Sequence, residues 1–345
     1  MIPVNAYKGR NQLMRLMMGL WLAASLLFGT AARAEVPEVR FAQQFSMGYL
    51  QFNVMKHQDL LQKHAAALGI PEVKISYVTF NGPDMMNDAL LSGAVDVASG
   101  GVPGLLTIWA KTRGTAQEVR GISAMSQQVV LLTSKDPNIR SIRDFKPGDR
   151  IAVPAVKVSA QAVMLQMAAA KEWGDAAFDK LDALTFSMSP PDATASLLSG
   201  GTDFLSAFTV PPFQNMQLRD PAIHIVLSSE DVVGPSSGGM AWASKRFHDA
   251  NPKLYQAMIN AMQEASAFIA AHPRETAEYY AADAKGKIDI ELLVSLITDP
   301  RYKYVLVPRS MTKWSDFMFR MGRIKSKPDS WKDLFWPEIH GLDGN

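Results

Sequence analysis

Apolar positions along the chain follow two alternating periods. Val39–Gln44 (VRFAQQ) alternates and stops at polar residues, which predicts a short strand running into a loop. Tyr49–Gly69 carries apolar residues at helical spacing and ends on a glycine, a helix with its stop signal. Val73–Phe80 predicts a second strand, and PDMMNDALLSG a helix with Pro83 near its start and Gly93 just past its end. VDVASGG then predicts a strand that breaks at Gly100. The order β-α-β-α-β, with strands roughly 20–30 residues apart, is that of an α/β protein with a mostly parallel sheet.

The same order restarts downstream. Asp149–Ala155 predicts a strand, Ser159–Gly174 a helix capped by Ser159, LTFSMS a strand, DATASLLSG a helix and TDFLSAF a strand. Leu-Ser-Gly-x-x-Asp therefore occurs twice in the same slot, at Leu91–Asp96 and Leu198–Asp203. Folding alone accounts for it: Leu closes a buried helix face, Gly takes the left-handed stop, and Asp opens the next strand where it can accept freed backbone N–H groups. The spacing is too wide and too unequal for a solenoid and predicts two similar lobes.

Between the units, Val129–Thr133 predicts an apolar strand crossing out of the first lobe. A turn at Asp136-Pro137, a short helix around Ile142–Phe145 and a break at Pro147-Gly148 follow. A second crossing is expected at Ile223–Glu230 and a strand at Met240–Phe247. Asn251-Pro252 opens a long helix to Ala271, Pro273 begins another, and the tail from Met311 holds a further amphipathic helix and three Trp. These boundaries make residues 35–128 and 229–345 a discontinuous first lobe, with the tail against it, and residues 129–228 the second.

Charge and composition narrow the class. The formal charge is +2, but the first 34 residues carry Lys8, Arg10, Arg15 and Arg33 and no acid, so the remainder carries −2 and has no bulk reason to seek nucleic acid. Basic residues, the apolar run LMMGLWLAASLLFG and Ala32-Arg33-Ala34 form the order of a secretory signal peptide cleaved after Ala34. The run is shorter than the roughly 20 residues of a membrane span. With no Cys, the exported chain has neither disulfides nor a lipid-bearing thiol. For a two-membrane bacterium, the expectation is a periplasmic protein without a lipid anchor.

Four stretches together resemble the periplasmic substrate-binding proteins of ABC importers, in the nitrate/sulfonate/taurine branch that also includes pyrimidine-precursor receptors. They are ALLSGAVDVASGG, SIRDFKPGDRIAVP, SKRFHDANP, and IAAHPRETAEYYA with FRMGRIKSKPDSWKDLFW beyond it. Phe145 and the order Lys146-Pro147-Gly148 depart slightly from the family's Asp-Leu-x-Gly-Lys pattern. The resemblance implies a type II-like periplasmic binding protein fold, with two α/β lobes around a ligand cleft and hinge closure on a small-molecule solute. It also implies an ABC permease of the inner membrane as partner and no cofactor. A monomer suffices, because one receptor closing on one ligand needs no symmetry.

In open α/β sheets ligands sit beyond the C-terminal strand ends, which selects the candidate contacts. Gln43, Gln44, Phe45 and Ser46 follow the first strand and could hold an anion with amides and helix N-terminal N–H groups. Ser99, Gly100 and Gly101 offer backbone N–H groups without a Cβ in the way. Ser159, Ala160 and Gln161 open the first helix of the second lobe; Phe208 and Thr209 end its last strand. Met125, Gln127 and Ser237 lie beside the crossings. Each copy of the repeat thus delivers a loop to one cleft, one from each side.

No catalytic constellation competes. The six His are scattered, and there is no His-Glu-x-x-His, Walker loop, Gly-x-Ser-x-Gly or Gly-x-Gly-x-x-Gly. Pyrimidine synthases of this superfamily carry a Cys-rich motif, and zero Cys rules that mechanism out here. The expectation is a non-enzymatic receptor for a sulfonate- or taurine-like or similar organic solute. The alternatives are a periplasmic sensor feeding a membrane signalling protein and a receptor for a pyrimidine-type heteroaromatic or aromatic acid. No Arg aims at the loops and Lys157 is the nearest cation, which disfavours a doubly charged ligand.

Overall fold

The computed structural model describes residues 35–345 except 202 and 285–287; the signal segment and its cleavage position lie outside the described residues. The chain opens β1 (Glu38–Gln43), α1 (Leu50–His57), α2 (Leu60–Ala67), β2 (Lys74–Thr79), α3 (Pro83–Ser92), β3 (Val97–Gly100), α4 (Val102–Thr112) and β4 (Val119–Gln127). It continues with β5 (Leu131–Ser134), β6 (Ile151–Val153), α5 (Ala160–Trp173), β7 (Thr185–Ser187), α6 (Pro190–Ser199), β8 (Ser206–Thr209), α7 (Phe213–Gln217), β9 (His224–Ser228) and α8 (Ser229–Val232). The return is β10 (Ser237–Ser244), α9 (Lys245–Ala250), α10 (Pro252–Ala271), α11 (Pro273–Asp283), α12 (Ile290–Thr298) and α13 (Met311–Arg320).

The strands form two five-stranded sheets, β2-β1-β3-β10-β4 and β7-β6-β8-β5-β9. In each, one inserted strand runs against the rest: β10 is antiparallel to β3 and β4, and β5 to β8 and β9. Each sheet is thus mostly parallel, as the strand spacing predicts, and each borrows its antiparallel strand from a chain crossing. The crossings bond to one another: Ser229 N–H donates to the Val130 carbonyl at 2.9 Å, and Val130 N–H to Ser229 Oγ at 3.1 Å.

The two copies of the repeat occupy matching slots. Both α3 and α6 start on proline and end on a left-handed glycine, Gly93 at φ +76° and Gly200 at φ +74°. The buried leucine, however, is the first of each pair. Leu90 and Leu197 are buried, whereas Leu91 is half-buried and Leu198 exposed, because consecutive helical side chains point about 100° apart and only the first of each pair faces the sheet. Asp96 accepts the Arg40 backbone N–H at 2.9 Å and pairs with its guanidinium at 2.9 Å. Asp203 pairs with Arg150, immediately before β6. The repeat therefore includes an arginine in the first strand of each unit or at its edge.

Three expectations are corrected. The helix expected over Tyr49–Gly69 breaks at Asp59, whose φ of 50° and ψ of 36° belong to the left-handed region that Asp tolerates. Within Ile223–Glu230 the second crossing falls only at the end: His224–Ser228 is an edge strand on β5, and the chain returns after it through α8. The helices α4 and α12 and the strand β4 have no counterpart among the predicted elements. Val102–Thr112 buries most of its positions and exposes only Thr107 and Lys111, so its polar face is narrow, and β4 is buried on both faces, so it does not alternate.

The main core runs through both sheets and holds Trp109, Trp242, Trp314 and Phe335. A smaller cluster of Ala152, Ala193, Leu197, Phe204, Ala207 and Ile223 lies on one face of the second sheet. Among the described residues no helix is long and apolar enough to cross a membrane.

Candidate functional site

The loops after β1, β3 and β6 meet between the two sheets and enclose a cavity of about 50 Å³. Its walls come from both lobes. Gln44, Phe45, Ser46 and Tyr49 approach from the β1 end, with Gly101 and Gly104 at the start of α4. Pro154, Val158, Ser159, Ala160, Gln161 and Met164 face them from the second sheet. Gln128, Val130, Ser229, Val233, Ser236, Ser237 and Gly238 form the base at the crossings, and Trp314 closes one side from α13. The lobes are in contact around it. Met47 N–H donates to the Pro211 carbonyl at 3.0 Å. A Cβ on Gly101 would stand 2.8 Å from Ala160 Cβ, so this contact requires glycine.

Local sequence explains how each group is held. Ser46 caps a short 3₁₀ turn, its Oγ accepting from Gly48 N–H. Ser159 caps α5, accepting from Ala162 N–H at 3.3 Å and donating to the Ala155 carbonyl at 2.8 Å. Ser236 Oγ accepts from Trp314 Nε1 at 2.9 Å, and Ser237 Oγ from Arg309 N–H at 2.9 Å. The serine hydroxyls are thus engaged by the protein. The side chains of Gln128 and Gln161 and the Tyr49 hydroxyl line the cavity with no protein hydrogen bond among the described residues. The amides at the start of α4, whose N-cap Gly101 supplies no side-chain bond, add donors.

Among the described residues no Asp, Glu, Lys, Arg or His lines the cavity. Burial pushes the Tyr49 phenol well above its ordinary range, so it is a neutral donor. Lys157 is exposed, at φ +66°, and does not reach the walls. Among the described residues no group of His, Asp and Glu could hold a metal ion. His57 and His64 serve other contacts, with Asp283 at 3.2 Å and Glu264 at 2.7 Å respectively.

Of the residues predicted as contacts, Gln44, Phe45, Ser46, Gly101, Ser159, Ala160, Gln161 and Ser237 come together at this cavity. The others lie elsewhere, each for a local reason. The Gln43 carbonyl is spent on Phe80 N–H in the β1–β2 ladder. Ser99 is fully buried and donates to the Ala42 carbonyl; Gly100 backs onto Trp242, 2.7 Å from where its Cβ would stand. Met125 and Phe208 are fully buried strand residues facing the core. Gln127 exchanges backbone bonds with Lys303, and Thr209 Oγ1 contacts Gln217 at 3.5 Å inside the second lobe. Next to Gln127, Phe208 and Thr209 in the chain, it is Gln128 and Val210 that line the cavity. Tyr49 also reaches it. Trp314 carries no local signal, since it reaches the cavity from a helix 78 positions beyond its bonding partner Ser236.

The family model described as NMT1/THI5 like matches residues 72–276. Solved structures match the fold over most of their length. The periplasmic aliphatic sulphonate-binding protein SsuA from Escherichia coli aligns with a TM-score of 0.64 at 18% identity, covering 88% of this chain and 98% of that one. The alkanesulfonate-binding SsuA from Xanthomonas axonopodis pv. citri, bound to MOPS, gives 0.66 at 19%, covering 88% and 99%. The periplasmic nitrate-binding protein NrtA from Synechocystis PCC 6803 gives 0.67 at 14%, covering 87% and 85%. No curated protein matches the chain. At these identities the likeness carries the fold, the two-lobed α/β binding-protein architecture predicted from the sequence.

Proposed function

The chain belongs to the NMT1/THI5-like family, and from that premise we propose that it is a periplasmic solute receptor. It captures a small organic molecule by closing its lobes and presents it to an ABC permease in the inner membrane. It acts as a monomer, after removal of the signal segment behind Ala34. In this reading residues 35–128 with 229–345 form one jaw and 129–228 the other, and there is no catalytic step.

One observation carries the proposal: a cavity built from both lobes whose walls hold no charged side chain. Gln128 and Gln161 supply carboxamides that donate and accept, Tyr49 a phenol, and Phe45, Met164 and Trp314 apolar surface. Such a site suits a neutral or weakly charged solute with donors, acceptors and one apolar face, a heteroaromatic or an amide. A single negative charge would be met by the α4 and α5 N-terminal amides and the neutral donors of Gln128, Gln161 and Tyr49, with no opposite charge. A doubly charged anion would be left uncompensated.

A thermal-shift titration of the chain from Glu35 tests this against neutral heteroaromatics, amides, alkanesulfonates, taurine and nitrate. A native-state ligand raises the midpoint with the logarithm of its concentration. The expected result is a saturable rise with a neutral solute, lost in Gln161→Ala. A rise with sulfonate or nitrate alone refutes the neutral-solute assignment and keeps the receptor. No rise with any class argues against the receptor.

A further inference from the structure

The segment 311–324 stands apart from the strand-end loops, yet it touches both lobes. α13 packs on α4 of the first lobe. Trp314, on its inner face, forms part of the cavity wall and is fixed by its bond to Ser236. One turn on, Phe317 meets Phe178 of the second lobe edge to face at 6.4 Å. Arg320 Nε pairs with Asp175 at 2.7 Å, and the Arg323 guanidinium donates to the Lys157 carbonyl at 2.5 Å.

Lys157 sits in the left-handed region at φ +66°, a conformation unfavourable for a lysine. It lies two residues before the cap of α5 and next to Val158, which lines the cavity. The carbonyl that Arg323 holds therefore belongs to the loop carrying the second lobe's share of the wall.

We propose that residues 311–324 form a strap that fastens the two lobes in the closed arrangement and sets the cavity wall. Trp314 contributes the wall directly. Arg323 is a positioning residue acting through the loop at Lys157, and Arg320 with Phe317 supplies the grip. The consequence for solute capture rests on the receptor reading above; the fastening itself does not.

The test uses no solute, so its failure is separable from failure of that reading. The chain lacks Cys, and the two copies of the repeat offer matched label positions. Ser92 and Ser199 are exposed, one on each lobe, and each hydroxyl bonds only to a carbonyl of its own helix. Spin labels on S92C/S199C report the separation of the lobes by electron double resonance. Adding R320A/R323A should move population to longer separations and shift the closed-to-open ratio roughly fivefold. R323K, which can still donate to the carbonyl, should restore part of it in the R320A background. Far-ultraviolet dichroism checks that both variants remain folded. An unchanged distance distribution in folded R320A/R323A overturns the strap.

Discussion

The two lobes share one strand order and place the same six-residue pattern in the same slot, yet they bury it differently. In the first lobe, Asp96 is partly shielded and accepts both the backbone N–H and the guanidinium of Arg40. In the second, Asp203 meets Arg150 in the open, with 70% of its side chain exposed. The first lobe also carries the long helices α10 and α11 and the tail, whereas one face of the second sheet rests on a cluster of only a few residues. The pattern therefore encodes a turn and a register, and the surroundings decide how much stability each copy contributes.

The largest expected effect separates the two leucines of each pair. Leu90→Ala and Leu197→Ala should each cost about 2–5 kcal/mol by denaturant unfolding, the fully buried Leu197 at the upper end. Leu198→Ala, on the exposed neighbour, should stay within about 0.5 kcal/mol. Equal costs for Leu197 and Leu198 would contradict the assigned helix face.

The aspartates should differ by less. Asp96→Ala leaves the Arg40 N–H without its acceptor and should cost about 1–3 kcal/mol. Asp203→Ala should cost less than about 1 kcal/mol, as exposed pairs do. Matching losses in the two variants would erase the difference between the lobes.

The smallest effect is acid sensitivity. In the second lobe, the N–H groups of Arg140 and Ser141 hold the Asp144 carboxyl below its ordinary value of 3.8. In the first, burial pushes Asp283 up, but Lys56 and Asn53 outweigh it and leave it below that value. A carboxylate depressed on folding stabilises the native state above its unfolded pKa; the contribution fades as pH falls through the folded pKa. Unfolding followed from pH 6 to pH 2 should therefore show a shallower acid loss in Asp144→Asn and in Asp283→Asn than in the parent. A parent-like slope in both would remove these groups from the acid response.

The α/β alternation, the two glycine stops, the Ser159 cap and the loops that converge were legible because each depends on neighbours within a few residues. Periodicity, capping and left-handed stops are local physics, and they place strand ends, which in such sheets are where ligands gather. Finer choices within those loops were not legible. Whether Gln127 or Gln128 faces the cavity depends on strand register, and Gln127 is claimed by a backbone bridge to Lys303. Helix α4 escaped because burial of most of its positions leaves only a narrow polar face at Thr107 and Lys111.

The sequence by itself determined two α/β units and their punctuation, since these follow from short-range pattern. Only the tertiary structure decided that the assembled walls carry no charge, that Phe208 and Met125 turn to the core, and that Trp314 and Arg323 reach the site from the far end of the chain. Those outcomes depend on which distant surfaces meet, and no local spacing encodes a contact between residues more than 150 positions apart.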